Sequence, residues 1–152
     1  MRKVVIESMT QPRESDDRAT ARKILEMSHT IAVVGLSRHP YKTAHSVPAS
    51  LKAAGFKVIP VNPYATSVLE EKSYRALTEI DGPVDVVEVF RPAPEASGIA
   101  RDAVEIGAKA LWLQTGLRSD EARAIAEDGG LLYVEDRCMA VDRATFGVTK
   151  DV

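Results

Sequence analysis

Residues able to bind a phosphate group are concentrated in one polar turn near the start of the chain. Gly35 and Ser37 follow an apolar run, and Arg38, His39 and Lys42 come next. Glycine lets backbone N–H groups approach a ligand, serine donates a hydrogen bond, and cationic side chains make charge-assisted contacts to phosphate oxygens. The turn therefore predicts an anion site, with a solvated surface turn carrying scattered cations as the alternative.

This turn departs from the glycine-rich fingerprint of dinucleotide-binding proteins. Its continuation is Leu36-Ser37-Arg38-His39-Pro40, so that Ser37 and Pro40 stand where the second and third glycines would be. The next strand ends in Asn62-Pro63, without the acid that usually holds the ribose hydroxyls of NAD. Both differences count against an NAD(P)-dependent oxidoreductase.

Three further turns carry groups suited to a nucleotide. Asn62 can hydrogen-bond a ribose or an amide, or simply cap its own turn. Arg91 can reach a phosphate or pair with a nearby carboxylate, and Phe90 can pack on an adenine or join the core. The segment 114–116, Gln-Thr-Gly, allows close backbone approach. Each turn thus has both a binding and a structural interpretation.

Alternating strand and helix patterns predict the elements that position these turns. Strands are expected at 31–34, 57–61, 84–90, 109–114 and 131–134, with helices at 15–29, from 44–46 to Gly55, from 91–94 to Gly107, and from Ser119 to 129–130. This order predicts an α/β fold, a doubly wound and mainly parallel sheet of about five strands with helices on both faces. Right-handed crossovers then bring the turns at Gly35, Asn62, Phe90 and Gln114 to one edge of the sheet.

Local signals are weaker in four places. Ser15 is expected to cap the first helix, with Asp16 and Asp17 in its first turn, and Pro48 to keep the second helix from starting before 44–46. The apolar patch 4–6 is compatible with an edge strand or an arm. Residues 65–83 are expected to hold one short helix anchored by Tyr74 and Leu77.

Composition limits the classes of function. The chain has 152 residues and a formal net charge of -2, which favours a single domain and gives no basic excess for nucleic acid. Its one cysteine, Cys138, cannot form an intrachain disulfide, and no apolar run is long enough to span a membrane. We therefore expect a cytoplasmic protein without a nucleic-acid or membrane partner.

Five segments in their order and spacing resemble the stand-alone CoA-binding domain family, which is related to the CoA-binding Rossmann domain of the succinyl-CoA synthetase alpha subunit and of ADP-forming acyl-CoA synthetases. They are 30–37, 58–63, 84–92, 108–116 and 136–138, and the resemblance covers about 29–141. It implies a Rossmann-like CoA-binding fold with coenzyme A or an acyl-CoA as ligand. The residues it implies as contacts are Gly35, Leu36, Ser37, Arg38, His39, Pro40, Lys42, Asn62, Pro63, Phe90, Arg91, Pro92, Gln114 and Gly116.

Two departures from the related synthetases bear on function. Where the synthetase subunit carries a lysine after the proline of its second strand, this chain reads Tyr-Ala-Thr at 64–66, so Arg38 or Lys42 would have to replace that cation. The synthetases relay phosphate through a histidine of a further domain, and His29, His39 and His45 do not match that residue. The resemblance therefore implies a ligand-binding protein without evident catalytic residues of its own.

Three other reactive side chains have a structural and a functional interpretation. Asp85 and Glu88 lie on a predicted strand, where structural pairing is favoured over catalysis. Cys138 follows the fifth strand, and the family often has a cysteine at this point. It is either a packing residue or close enough to the CoA thiol to form a mixed disulfide. No metal-ligand spacing is present in the sequence.

The combined prediction is a CoA-binding domain at 29–142, preceded by an arm and helix at 1–28 and followed by a tail at 143–152. One alternative is an NAD(P)-binding oxidoreductase or nucleotide-responsive module. The other is a protein-interaction module whose nucleotide site has decayed. The apolar N-terminal patch is compatible with a homodimer.

Overall fold

Five short apolar runs form a central parallel sheet, in a computed structural model that describes the backbone of residues 12–150 and the side chains of 17–150. The strand order is β2-β1-β5-β6-β7, and β3 and β4 form a separate antiparallel pair. The strands are β1 (Thr30–Val34), β2 (Lys57–Val61), β3 (Ser67–Val68), β4 (Glu71–Lys72), β5 (Val86–Val89), β6 (Ala110–Leu113) and β7 (Leu132–Val134). The helices are α1 (Pro12–Met27), α2 (Thr43–Ala53), α3 (Ala96–Glu105), α4 (Asp120–Asp128) and α5 (Met139–Phe146), with 3₁₀ turns at Leu77–Glu79 and Ala93–Glu95.

The sheet separates two apolar layers. Alternate strand residues such as Val87 and Leu111 pack with the buried alanines and Ile99 of α3 and the alanines of α4. The opposite residues, including Val33 and Trp112, pack with α1, α2 and α5. Since side chains alternate across a strand, the apolar β5 and β6 runs are covered on both sides. The predicted doubly wound α/β fold is confirmed.

The strand order places a crevice between β1 and β5. After β1 the chain turns to one side to form β2, and it then crosses to the other side of β1 to form β5. At such a switch point the two connections leave in opposite directions and open a gap at the carboxyl ends of the strands. The loops that follow β1, β2 and β5 border this gap.

The first helix differs from its prediction at its start. The helix begins at Pro12, so Ser15 lies within it rather than at its cap, which corrects the predicted boundary. Asp17 is buried and pairs with Arg123 of α4 instead of lying in the first turn. Ala21, Ile24 and Leu25 form the inner face of the helix and are fully buried. The apolar patch 4–6 lies outside the described residues.

The segment 65–83 forms a hairpin and a 3₁₀ turn rather than the predicted short helix. Strands β3 and β4 pair in antiparallel fashion, and Leu77 is buried at the 3₁₀ turn. Tyr74 donates its N–H to Pro60 and accepts from the N–H of Asn62, at 3.0 and 2.9 Å. This backbone pairing with the outer side of β2 satisfies an otherwise open sheet edge, which an isolated helix would not have done.

Helix α2 contains Pro48 in its interior, and it begins at Thr43, earlier than expected from the proline. A proline has no N–H to donate to the carbonyl four residues earlier, which here belongs to Ala44. That carbonyl instead accepts the N–H of Ser37 at 3.0 Å. The loop before the helix therefore supplies the hydrogen bond that the helix lacks.

The last helix, α5, has no counterpart in the sequence prediction. It spans Met139–Phe146 and ends at Gly147, whose φ of +66° closes the helix in the left-handed region. Asp142 on this helix is buried and accepts hydrogen bonds of 2.7 and 3.0 Å from Arg137. The helix therefore runs across position 142, where the predicted domain ends.

Candidate functional site

A cavity of about 440 Å³ opens at the carboxyl edge of the sheet, at the switch point between β1 and β5. Its volume lies within the range of small-molecule sites in proteins. Six of the predicted residues line it, drawn from the loops after β1, β2 and β5: Gly35, Ser37, Lys42, Asn62, Pro63 and Arg91. Three of the four predicted turns thus meet, as the sheet topology requires.

The loop from β1 to α2 is held in place by its own hydrogen bonds. The Ser37 hydroxyl oxygen accepts the N–H of His39 at 3.0 Å, which leaves its O–H able to donate to a ligand. The carbonyl of Ser37 lies 2.7 Å from Nδ1 of His45, and because a carbonyl only accepts, this nitrogen carries the proton. Together with the Ala44 contact, these bonds fix the loop on α2.

Gly35 makes the sharp turn out of β1. Its φ is +91°, a conformation that side chains strongly disfavour. A methyl group at this position would lie 3.0 Å from Cδ of Arg91 and 3.1 Å from the Phe90 carbonyl oxygen. Glycine is therefore required both by the turn and by the close approach of the β5 loop.

Replacing Gly35 with alanine is expected to destabilise the fold by about 1–2 kcal/mol and to displace Arg91, because backbone strain and a steric clash act together. Gly130→Ala is the matched control, since its φ is +84° but nothing lies within 4 Å of the added methyl. Thermal unfolding measures both variants. If the two variants lose the same amount of stability, the clash with Arg91 does not contribute to the destabilisation.

Asn62 uses both ends of its side chain within the protein. Its Nδ2 donates to the Leu36 carbonyl at 3.0 Å, and its Oδ1 accepts the N–H of Tyr64 at 2.8 Å. The residue caps its own turn and also connects the loops after β1 and β2. The structural interpretation of Asn62 therefore holds in the ligand-free protein, although the residue borders the cavity.

Arg91 pairs with Glu95, the structural alternative considered for this arginine. Its Nε and Nη2 donate to Oε1 and Oε2 of Glu95 at 3.1 and 2.9 Å. This hydrogen bonding raises the pKa of Arg91 and lowers the pKa of Glu95, so both groups remain charged. Arg91 and Glu95 are four residues apart, but Arg91 precedes the 3₁₀ turn Ala93–Glu95, so this is not a pair on one helix.

Six lining residues are not among the predicted contacts: Val34, Val61, Tyr64, Arg75, Glu95 and Ile99. Arg75 reaches the cavity because its neighbour Tyr74 pairs with the outer side of β2. That contact is not encoded by any local pattern. Ile99 lies on α3, and Tyr64 is an exposed aromatic, 84% accessible, beside the site.

The cavity is positively charged in a chain whose net charge is negative. Lys42, Arg75 and Arg91 line it together with one carboxylate, Glu95. Within residues 17–150 neither Lys42 nor Arg75 makes an ion pair. Two cations are thus available to an incoming anion, as the local anion site predicted from the turn would require.

Six predicted residues of the first and third turns lie outside the cavity wall. Arg38, His39 and Pro40 are exposed, and the His39 ring lies against Tyr41 with centroids 5.6 Å apart. Leu36 is fully buried, Phe90 packs partly on the same core, and Pro92 is exposed before the 3₁₀ turn. These residues belong to the same loops, but they do not line the cavity.

The turn after β6 is not brought into the cavity wall. Gln114 is buried and accepts the Met139 N–H at 3.4 Å, and the Gly116 N–H donates to Asp136 at 2.6 Å. Strand β6 lies on the far side of β5 from the switch point, so its turn contacts the end of β7 instead. Cys138, partly exposed before α5, also lies outside the lining residues.

Asp85 and Glu88, the two carboxylates of the predicted strand 84–90, have different surroundings. Asp85 accepts the N–H groups of His29 and Thr30 at 2.8 and 3.0 Å. Burial opposes its ionisation, but these bonds outweigh that effect and lower its pKa. Asp85 is therefore structural, as expected. Glu88 is buried, and neither carboxylate oxygen has a hydrogen-bond partner in the described structure, contrary to the expected pairing.

Neither a metal site nor a membrane span is present in the part of the chain that the structure describes. No cluster of three or more His, Cys, Asp or Glu side chains is arranged to hold a metal ion there. None of its helices combines the length and apolar character needed to cross a bilayer. The features that characterise the cavity are therefore the loops that border it and its cationic side chains.

A comparison with known protein families identifies the kind of domain that contains this cavity. The model of the CoA binding domain family matches residues 29–144. The chain belongs to this CoA-binding family. The match begins just before β1 and ends within α5, so it includes all three loops that border the cavity.

Two curated proteins illustrate the relatives of this CoA-binding domain. The uncharacterized protein YneT of Bacillus subtilis is 38% identical over 131 residues, which are 86% of this chain and 97% of YneT. Acetate--CoA ligase [ADP-forming] II of Archaeoglobus fulgidus is 31% identical over 100 residues, which are 64% of this chain and 15% of the ligase. Relatives thus include both a stand-alone protein and a much longer ligase.

A solved structure shares the fold closely. The PH1109 protein redesigned for binding, called Prb, superposes with a TM-score of 0.83 at 32% identity. The alignment covers 88% of this chain and 94% of Prb. The Rossmann-like α/β architecture is therefore common to the CoA-binding domain described here and to a protein of similar length.

Proposed function

We propose that the chain binds coenzyme A or an acyl-CoA in the cavity at the switch point of its sheet, with the phosphates beside Lys42, Arg75 and Arg91. The observation that carries the proposal is this group of three cations, from three separate loops, around one cavity. Family membership supports CoA as the ligand class. The acidic net charge of the chain makes such a local cluster the natural anion site.

The loop geometry supports phosphate binding at this position. Gly35 lets the β1 loop approach the β5 loop closely, and Ser37 keeps its O–H available as a donor. Phosphate groups commonly bind where the first strand of an open α/β sheet turns into a helix, because backbone N–H groups and the helix dipole favour negative charge there. The cations around the cavity add to this effect.

An NAD-dependent oxidoreductase is a poorer fit to the same cavity. The end of β2 presents Asn62, whose amide is used by the Leu36 carbonyl and the Tyr64 N–H, instead of a carboxylate for ribose hydroxyls. An interaction module with a decayed site would not be expected to keep two cations without ion pairs in a cavity. Both alternatives predict no preference for CoA.

Isothermal titration with CoA, dephospho-CoA, NAD and NADP tests the proposal. CoA is expected to bind more tightly than dephospho-CoA and NAD, because the three cations can share its pyrophosphate and the additional ribose phosphate that those two ligands lack. Family membership favours CoA over NADP, which carries the same number of phosphates. Tighter binding of NAD or NADP would support the oxidoreductase alternative. Absence of binding by all four ligands would support the decayed module and contradict the proposal.

Arg91→Ala and Arg75→Ala are each expected to weaken CoA binding by about 1–3 kcal/mol, the range for hydrogen bonds to charged groups. The loss should be larger for Arg91→Ala, since it also leaves the carboxylate of Glu95 unpaired in the cavity. The same titration measures both. Arg38→Ala shows whether phosphate contacts extend along the β1 loop beyond the cavity wall.

Arg101→Ala is the control for these arginine variants. Arg101 is on α3, outside this cavity, and pairs with Glu121 at 3.3 Å on the surface. Its loss changes the net charge by the same amount but removes no cavity residue. Equal weakening in Arg101→Ala and the cavity variants would mean that overall charge, not the cavity, attracts CoA.

A further inference from the structure

One of the three cavity cations already has a partner. Arg91 is paired with Glu95 through the two hydrogen bonds described above, and the side chains are 49% and 47% accessible. Lys42 and Arg75 line the same cavity without an ion pair among the described residues. An anion that enters therefore meets two free cations and one that is held by a carboxylate of the cavity wall.

The position of Glu95 favours negative charge. It directly precedes α3, which begins at Ala96, and the N-terminal end of a helix stabilises an anion within its first turn. Its pKa is lowered by the hydrogen bond with Arg91, so the carboxylate remains ionised at neutral pH. A ligand phosphate would be attracted to this same place by the same guanidinium and the same helix end.

We infer that Glu95 is a competing counter-ion that occupies, in the ligand-free protein, a place for phosphate beside Arg91. This inference rests on the proposed function. A ligand gains the Nε and Nη2 donors of Arg91 only by replacing the carboxylate, which costs the ion pair and adds repulsion between Glu95 and phosphate. Contacts of the other phosphates with Lys42 and Arg75 offset this cost for a ligand such as CoA. Glu95 thereby lowers the affinity for phosphorylated ligands that use these donors.

Glu95→Gln tests the inference because it removes the charge and keeps the shape of the side chain. We expect the affinity for CoA to rise about threefold to tenfold, since the phosphate no longer competes with a carboxylate. Titration calorimetry gives the affinity, and circular dichroism melting verifies that the variant is folded.

Glu105→Gln is the matched control. Glu105 is the last residue of α3, is exposed, and is not a lining residue of the cavity, so its replacement changes the net charge alone. This variant should bind CoA as the wild type does. An equal gain in Glu105→Gln would overturn the inference, because the effect would then follow from overall charge.

The outcomes separate the inference from the function on which it rests. If the wild type binds CoA and Glu95→Gln binds it equally or more weakly, the counter-ion role is wrong while the proposed function stands. If neither protein binds CoA, both are wrong. Tighter binding of CoA by Glu95→Gln than by the wild type supports the inference, whereas binding by the variant alone would contradict the proposed function.

Discussion

Replacing Glu88 with glutamine is expected to remove a large pH dependence from the stability of this protein. The Glu88 carboxylate is fully buried on β5, between Val33 and Trp112, and burial raises its pKa from 4.5 to about 8. The folded protein therefore keeps this group protonated at neutral pH. The unfolded chain, where the group is exposed, loses the proton at the ordinary pKa.

The sign of the effect follows from this difference in proton binding. Below pH 4.5 both states are protonated and Glu88 contributes no pH dependence, whereas between pH 4.5 and 8 only the unfolded state ionises. The free energy of unfolding then falls with rising pH, by about 1.4 kcal/mol per unit and about 5 kcal/mol in total. Above pH 8 the loss levels off.

Thermal unfolding of the wild type and Glu88→Gln from pH 4.5 to 8.5 measures this effect. The two proteins should melt at similar temperatures near pH 4.5, and at pH 8 the variant should melt higher by about 10 °C, given about 2–4 °C per kcal/mol for a domain of this size. Glu79→Gln, at an exposed position, should keep the wild-type pH dependence. Parallel curves for the wild type and Glu88→Gln would show that Glu88 is not held neutral.

Asp17→Ala is expected to destabilise the protein by about 3 kcal/mol. The Asp17 carboxylate accepts hydrogen bonds of 3.0 and 3.2 Å from Arg123, and the side chains are only 9% and 12% accessible. Removing the acid leaves a buried guanidinium whose Nε already has no partner in the described structure. Breaking a buried ion pair from one side is far more costly than replacing both partners.

The double variant Asp17→Ala/Arg123→Met separates the pair from its surroundings. It should recover a large part of the lost stability, because the guanidinium is removed together with its acid and the buried Glu135 keeps Arg118 at 3.5 Å. Urea unfolding of the wild type, Asp17→Ala, Arg123→Met and the double variant gives the coupling energy. Neither residue lines the cavity, so the affinity for CoA should not change. A loss below about 1 kcal/mol for Asp17→Ala would mean that solvent reaches Arg123 after the acid is removed.

The fold was predictable because its signals are local. Each strand except β3 and β4 is a mainly apolar run of three to five residues next to a glycine, proline or polar turn, and each helix between them shows an apolar stripe. Parallel order and right-handed crossovers then follow from general rules of sheet topology. The β3–β4 hairpin was missed because its strands have two residues each, too few to show a period.

The site was predictable only where it lies at the end of a predicted strand. Gly35 and Asn62 directly follow β1 and β2, and Arg91 is the second residue after β5, so the sheet topology alone brings them together. Arg75 reaches the cavity through the pairing of Tyr74 with β2, which no local pattern encodes. Asp17 likewise pairs with a residue 106 positions away, and its sequence context indicated a helix cap instead.

The proline of α2 has a consequence for protein engineering. Pro48 leaves the Ala44 carbonyl without its helical donor, and Ser37 of the loop after β1 takes that place at 3.0 Å. Any other amino acid at position 48 would restore a competing donor and regularise the helix. A design rule that removes prolines from helices would thus strengthen the scaffold while loosening a loop that lines the cavity. In this domain the carbonyl that Pro48 leaves free in α2 is the group that holds the loop after β1 in place.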